Sequence, residues 1–90
     1  MNSSRSWDLH IDPGVFKALK KVPKREARAL LAVVRLLAAD PYFGDVKKMK
    51  GEDDVWRRRV GTYRVFYKIK NIEHILLVFR IERRTSHTYR

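Results

Sequence analysis

Between Val55 and Ile81 the chain holds three runs of β-branched and aromatic residues, Val55–Val60, Tyr63–Ile69 and Ile75–Ile81, joined by connections too short for anything but turns. Gly61-Thr62 is a two-residue connection, the length that pairs its flanking strands directly as an antiparallel hairpin. The turn containing Asn71 adds the third run as a meander. A sheet of this kind needs a cover on one face, and the residues before it supply one. From Lys24 to Ala39, the residues Ala27, Leu30, Leu31, Val34, Leu37 and Ala38 recur at i, i+3, i+4, i+7 spacing, while Lys24, Arg25, Arg28 and Arg35 fall mostly outside that stripe. The pattern predicts a helix lying on a sheet. Asp40-Pro41 ends it, and Pro41 to Asp45, with Gly44, reads as a loop.

Nearer the start, Trp7, Leu9 and Ile11 alternate with Asp8 and His10, the period of a strand with one buried face. Asp12 is placed to cap a helix that opens on Pro13, whose missing N–H costs nothing at that position. Val15, Phe16 and Leu19 give this short helix one apolar stripe, and Val22-Pro23 breaks it. Lys47 to Gly51 is too short to assign, and Glu82 to Arg90 reads as a polar tail. Ninety residues leave room for one core. The expected fold is therefore a single α+β domain over 1–90, mainly an antiparallel sheet in the order β-α-α-β-β-β, with two helices packed on one face.

Charge narrows the function. Lys and Arg number 21 against 10 Asp and Glu, a formal net charge of +11. Such an excess points to a polyanionic partner. The absence of cysteine removes disulfide frameworks, zinc ribbons and thiol nucleophiles, and suits a reducing cytoplasm. His10, His74 and His87 form no metal-binding pattern, and no apolar run approaches the roughly 18–20 residues of a membrane span. The chain is expected to be cytoplasmic, without metal, cofactor or membrane partner.

Alternation says where the charge goes. If Trp56 and Val60 face the helices, Arg57 and Arg59 face away. In the next strand Tyr63, Val65, Tyr67 and Ile69 form the apolar set, leaving Arg64, Phe66, Lys68 and Lys70 on the other side. Arg57, Arg59 and Arg64 should then converge on one positive surface with Phe66 among them. Arg58 breaks the parity and is expected at an edge, or with its stem laid over apolar surface. Residues 57 to 70 carry six basic side chains and no acidic one. A solvated, aggregation-resistant sheet edge would also be rich in Lys and Arg. Six unneutralised charges repel one another, however, and a single-stranded nucleic acid is what such a surface fits: guanidinium groups clamp phosphates, and aromatic planes stack on bases.

The segment from Val55 to Tyr67, VWRRRVGTYRVFY, resembles the "y-R-x-R-v-G-x-Y-R-v-x-Y" signature of the RelE/ParE toxin superfamily. The upstream strand, helical hairpin and Lys48-Met49-Lys50-Gly51 are similar to the family's order and its "k-L-k-G" element, and Arg83-Arg84 and Tyr89 to its closing "h-R-x-x-x-Y". The resemblance implies a RelE-like toxin of a type II toxin–antitoxin pair, a metal-independent endoribonuclease that cuts mRNA in the ribosomal A site. In that chemistry a ribose 2′-hydroxyl attacks the adjacent phosphate and leaves a 2′,3′-cyclic phosphate and a 5′-hydroxyl.

By the same resemblance Arg57, Arg59, Arg64, Arg84 and Tyr89 are the expected catalytic residues. Lys48, Lys50, Arg58, Phe66, Lys68, Arg83 and His87 are the expected RNA-binding ones. Arginines at 57 and 59, where some members have lysines, suit charge stabilisation better than proton abstraction, because a guanidinium keeps its proton in proteins. Tyr89 and His87 are then the candidates for proton transfer. The alternatives are a ParE-like inhibitor of DNA gyrase, or a catalytically weakened basic domain that only receives its antitoxin. The implied partners are mRNA, ribosomal RNA and a RelB-like antitoxin in a hetero-oligomeric complex, docked beside Val15, Phe16 and Leu19 or on the long helix.

Overall fold

A computed structural model describes residues 6–51 and 53–83. The chain runs β1 (Asp8–Ile11), α1 (Pro13–Leu19), α2 (Lys24–Ala39), β2 (Val46–Lys48), β3 (Val55–Val60), β4 (Tyr63–Lys70) and β5 (Ile75–Arg83). The strands form one sheet in the order β1-β5-β4-β3-β2. β2 to β5 are joined antiparallel, as the short connections require, while β1 lies parallel to β5 with Leu9 opposite Leu76. No helix among the described residues is long and apolar enough to cross a membrane.

Three features depart from the expectation. β2 is an extra strand in the stretch that was too short to assign: Val46, Lys47 and Lys48 pair with Arg58, Arg57 and Trp56, and Arg59 N donates to Asp45 O at 3.0 Å to fix its start. Three residues carry no readable period, so only the partner strand defines them. β5 continues past Ile81 to Arg83. It also contains a bulge, because Phe66 pairs with Arg80 but Tyr67 pairs with Val78, which leaves Phe79 as the extra residue. Strict alternation from Leu76 and Val78 would have pushed Arg80 into the core. The bulge turns it outward and returns Ile81 to the helix side, opposite Val65.

The core forms where α1 and α2 meet β4 and β5. Val15, Leu19, Leu30, Val34, Leu37 and Ala38 pack on Tyr63, Val65, Tyr67, Ile69, Leu76 and Val78, all buried. Asp12 caps α1 as expected, its Oδ1 accepting from Gly14 N at 2.8 Å. Val15 and Leu19 are therefore core residues and offer no dock, whereas Phe16 is 47% exposed. Gly61 supplies the positive φ of 59° that the tight β3–β4 turn needs. β1 is pinned by Trp7 N, which donates to Ala38 O at 2.7 Å, and by the Trp7 ring stacked on His74 with centroids 4.1 Å apart.

Two tyrosines tie the sheet to its cover. Tyr67 donates its hydroxyl to Pro41 O at 2.6 Å, and Tyr63 donates to Glu26 Oε1 at 2.8 Å. Burial pushes the Tyr67 phenol above its ordinary value, and the hydrogen bond to Glu26 does the same for Tyr63. A phenol raised in the folded state contributes stability that is complete below the unfolded value of about 10 and is lost as pH rises through the folded one. Tyr67→Phe leaves the Pro41 carbonyl without its donor and should destabilise by about 1–3 kcal/mol in urea melts at pH 7. The same variant should lose less stability than wild type between pH 10 and 12. An equal loss in both proteins would show that Tyr67 ionisation does not contribute.

Candidate nucleic-acid interface

The strand register turns the basic residues into rows across the sheet face opposite the helices. Lys47, Arg57, Phe66 and Arg80 stand side by side in one row, and Arg59, Arg64 and Glu82 in the next. Directly opposite side chains on adjacent strands lie about 5 Å apart at Cβ. Four strands thus bring five cations onto one patch.

Local partners divide these cations into two sets. Arg59 Nε lies 3.7 Å from Asp45 Oδ2 and Arg80 Nε lies 3.4 Å from Glu82 Oε2, so each has a carboxylate beside it. No described carboxylate makes an ion pair with Lys47, Arg57 or Arg64. Arg64 Nε is buried and has no hydrogen-bond partner among the described residues. A buried guanidinium donor without a partner carries a desolvation penalty that an anion would relieve. In front of it the segment from Lys47 to Lys50 joins Arg57, Arg64 and Phe66 to line a shallow groove of about 430 Å³. Its polar side chains are all cationic, a lining that attracts a phosphodiester and repels a metal ion.

The expected site residues fall into groups. Arg57, Arg59 and Arg64 come together on one face, as alternation required. Lys50 lines the groove, and so does Lys48, although Lys48 is rooted opposite Trp56 on the other parity. Phe66 lies on the expected face but not as an open stacking platform: it is 4% exposed, and the Arg80 guanidinium covers its ring at 4.3 Å from the centroid. Lys68 stands one row further along, its Nζ 5.7 Å from the centre of the Phe79 ring.

Arg58 and Arg83 turn away. Arg58 sits opposite Val65 and holds the loop before β2, its Nε donating to Phe43 O at 3.0 Å, a second donor reaching Arg59 O, and its guanidinium 5.2 Å from the Phe43 ring centre. Arg83 sits opposite Tyr63 and lines a hollow beside Lys21 and Pro23 on the helix side. Arg84, His87 and Tyr89 lie outside the described residues. Sequence reasoning missed Lys47, whose strand is legible only through its partner, and Arg80, whose charge at a core parity was the sole sign of the bulge. Among the described residues no three His, Asp or Glu side chains gather closely enough to hold a metal ion.

This topology is shared with known toxins. Residues 7–87 match the family model of the ParE toxin of type II toxin–antitoxin systems. A Methanocaldococcus jannaschii protein named as a candidate toxin, RelE1, is 30% identical over 81 residues, spanning 87% of this chain and 90% of that one. The crystal structure of the archaeal RelE–RelB complex from Pyrococcus horikoshii aligns at TM-score 0.79 and 27% identity, over 92% of this chain and all of that one. The RelBE2 toxin–antitoxin complex of Mycobacterium tuberculosis, at 21% identity, shares the fold at TM-score 0.79 over 93% and 98% of the two chains. The chain belongs to the RelE/ParE family and is a toxin of a type II toxin–antitoxin system.

Proposed function

We propose that the toxin is a metal-independent endoribonuclease that cuts mRNA in the ribosomal A site. The observation that carries this reading is Arg64: its buried Nε has no described hydrogen-bond partner, and its side chain lines a groove whose polar lining is wholly cationic. RNA brings its own nucleophile in the 2′-hydroxyl, so the protein must orient it, stabilise the phosphorane and move protons. Arg57 and Arg64 hold the non-bridging oxygens of the scissile phosphate. The 2′-hydroxyl gives up its proton as the O2′–P bond forms, the P–O5′ bond breaks to leave a 2′,3′-cyclic phosphate, and the departing 5′-oxygen takes up a proton. Arg59 adds to the field from the same row. Arg84 is assigned to the developing charge and Tyr89 to proton transfer on the family resemblance, and His87 to proton transfer on the acid–base chemistry of its imidazole.

A RelB-like antitoxin is the proposed partner that neutralises this face, supported by the seating of structural relatives in complexes with RelB. Contact with ribosomal RNA through the same cations should weaken steeply with salt. The match to a ParE model favours a second reading, inhibition of DNA gyrase without RNA cleavage. Mapping of mRNA 5′ ends after induction in growing cells separates the two. Codon-phased cuts within minutes are expected; intact messages with arrested replication would select the gyrase reading.

A further inference from the structure

The face that carries the basic groove continues past it. One row further along β4, Val55, Lys68 and Leu77 stand side by side, and the bulge adds Phe79. With Asp53 these residues line a second hollow of about 430 Å³. Its chemistry differs from that of the groove: an aliphatic floor of Val55 and Leu77, an aromatic wall in Phe79, the Lys68 ammonium 5.7 Å from that ring's centre, and one carboxylate at the rim. Phe66 is the partition between the two, a lining residue of the groove whose ring centre is 6.5 Å from that of Phe79.

We propose that this hollow is a base-recognition subsite, one that takes the base of a nucleotide adjoining the phosphate held in the groove and selects for an exocyclic amino group. The inference rests on the ribonuclease reading for its choice of a single RNA strand as ligand. Rows two residues apart on one strand are separated by about 7 Å, a span that a phosphate and the base of an adjoining nucleotide can cover. A base taken up here would leave its neighbours in the strand for the aromatic face of Phe79, as the unstacked bases of a single strand do. Phe79 offers such a face, and Lys68 beside it meets a backbone phosphate. Asp53 sets the orientation. A carboxylate repels phosphate and accepts hydrogen bonds, so the base points toward it and the backbone stays on the lysine side. Adenine, cytosine and guanine carry exocyclic amino donors for that carboxylate, whereas uracil offers only a ring N3–H flanked by two carbonyl oxygens that a carboxylate repels.

The test uses fluorescently labelled 2′-O-methyl tetranucleotides, which cannot be cleaved, titrated against the full chain at low salt with each position varied among the four bases. Wild type should disfavour uracil at one position by about fivefold or more. Asp53→Asn, an exposed turn substitution that should leave the fold intact, should bring that preference to within about twofold. Phe79→Ala should weaken all four oligonucleotides by about tenfold or more. Arg64→Ala should weaken all four alike and keep the preference. A wild type without base discrimination, or an Asp53→Asn variant that retains it, would overturn the subsite. Phe79→Ala binding RNA as tightly as wild type would also overturn it. Base preference that depends on Asp53, in a chain that cuts no mRNA, would refute the ribonuclease reading and leave the subsite standing.

Discussion

Arg64→Ala is expected to slow mRNA cleavage by about 10²–10³-fold, the usual loss when one preorganised donor to a developing oxyanion is removed, and to relieve growth inhibition. Its stability should stay within about 0.5 kcal/mol of wild type, because Arg64 lies directly opposite Arg59 and its Nε has no described partner to lose. Removing a side chain held beside a like charge also relieves repulsion across the strands. Single-turnover cleavage on ribosomes carrying a defined A-site codon gives the rate, and a urea melt gives the stability. Wild-type cleavage by the variant would remove Arg64 from the phosphate clamp; loss of fold would make it structural. Arg58→Ala is the matched control. Its guanidinium binds backbone oxygens on the other side of the sheet, so this variant should melt earlier by about 1.5–3 kcal/mol and still cleave.

Gly44→Ala should be among the most destabilising exposed substitutions in the chain. Gly44 has φ of +84°, where an L side chain is strained by about 1–2 kcal/mol. A Cβ there would also fall within 2.6 Å of the Arg58 guanidinium. Arg58 can swing out, but only by giving up its bonds to Phe43 O and Arg59 O and its place over the Phe43 ring. The combined loss is about 2–4 kcal/mol. The two parts separate in a double-mutant cycle: Gly44→Ala in an Arg58→Ala background should show only the backbone strain. Strict additivity would mean that the glycine does not make room for the arginine. Because this loop leads into β2, the variant should also loosen the Lys47–Lys50 wall of the groove.

Much of this was legible because the strands are separated by turn residues and the long helix by prolines. The hairpin at Gly61-Thr62 and the stripe from Ala27 to Ala38 needed only local period and turn chemistry. Face assignment was equally local for Arg57, Arg59 and Arg64, since alternation on two adjacent strands agreed. What escaped was non-local. β2 exists only as an edge on β3, and the parallel placement of β1 beside β5 follows from packing across most of the chain. Arg80 reached the cationic face through a bulge that no alternation rule contains, and Phe66 became a covered floor because that bulge set Arg80 above it. Arg58 looked like one more phosphate ligand until the loop carrying Phe43 and Gly44 was folded against it.

In the proposed reaction the RNA attacks itself while a cationic sheet face holds the phosphate. The most direct measurement places a single 2′-deoxynucleotide at the cleaved position of an mRNA whose codon occupies the A site, and compares its cleavage by the wild-type toxin with that of the all-ribose message. A 2′,3′-cyclic phosphate and a 5′-hydroxyl are expected from the ribose message, and no cleavage at the deoxy position. Cleavage that persists at the deoxy position, or a ribose message that stays intact while DNA gyrase is inhibited, would contradict it.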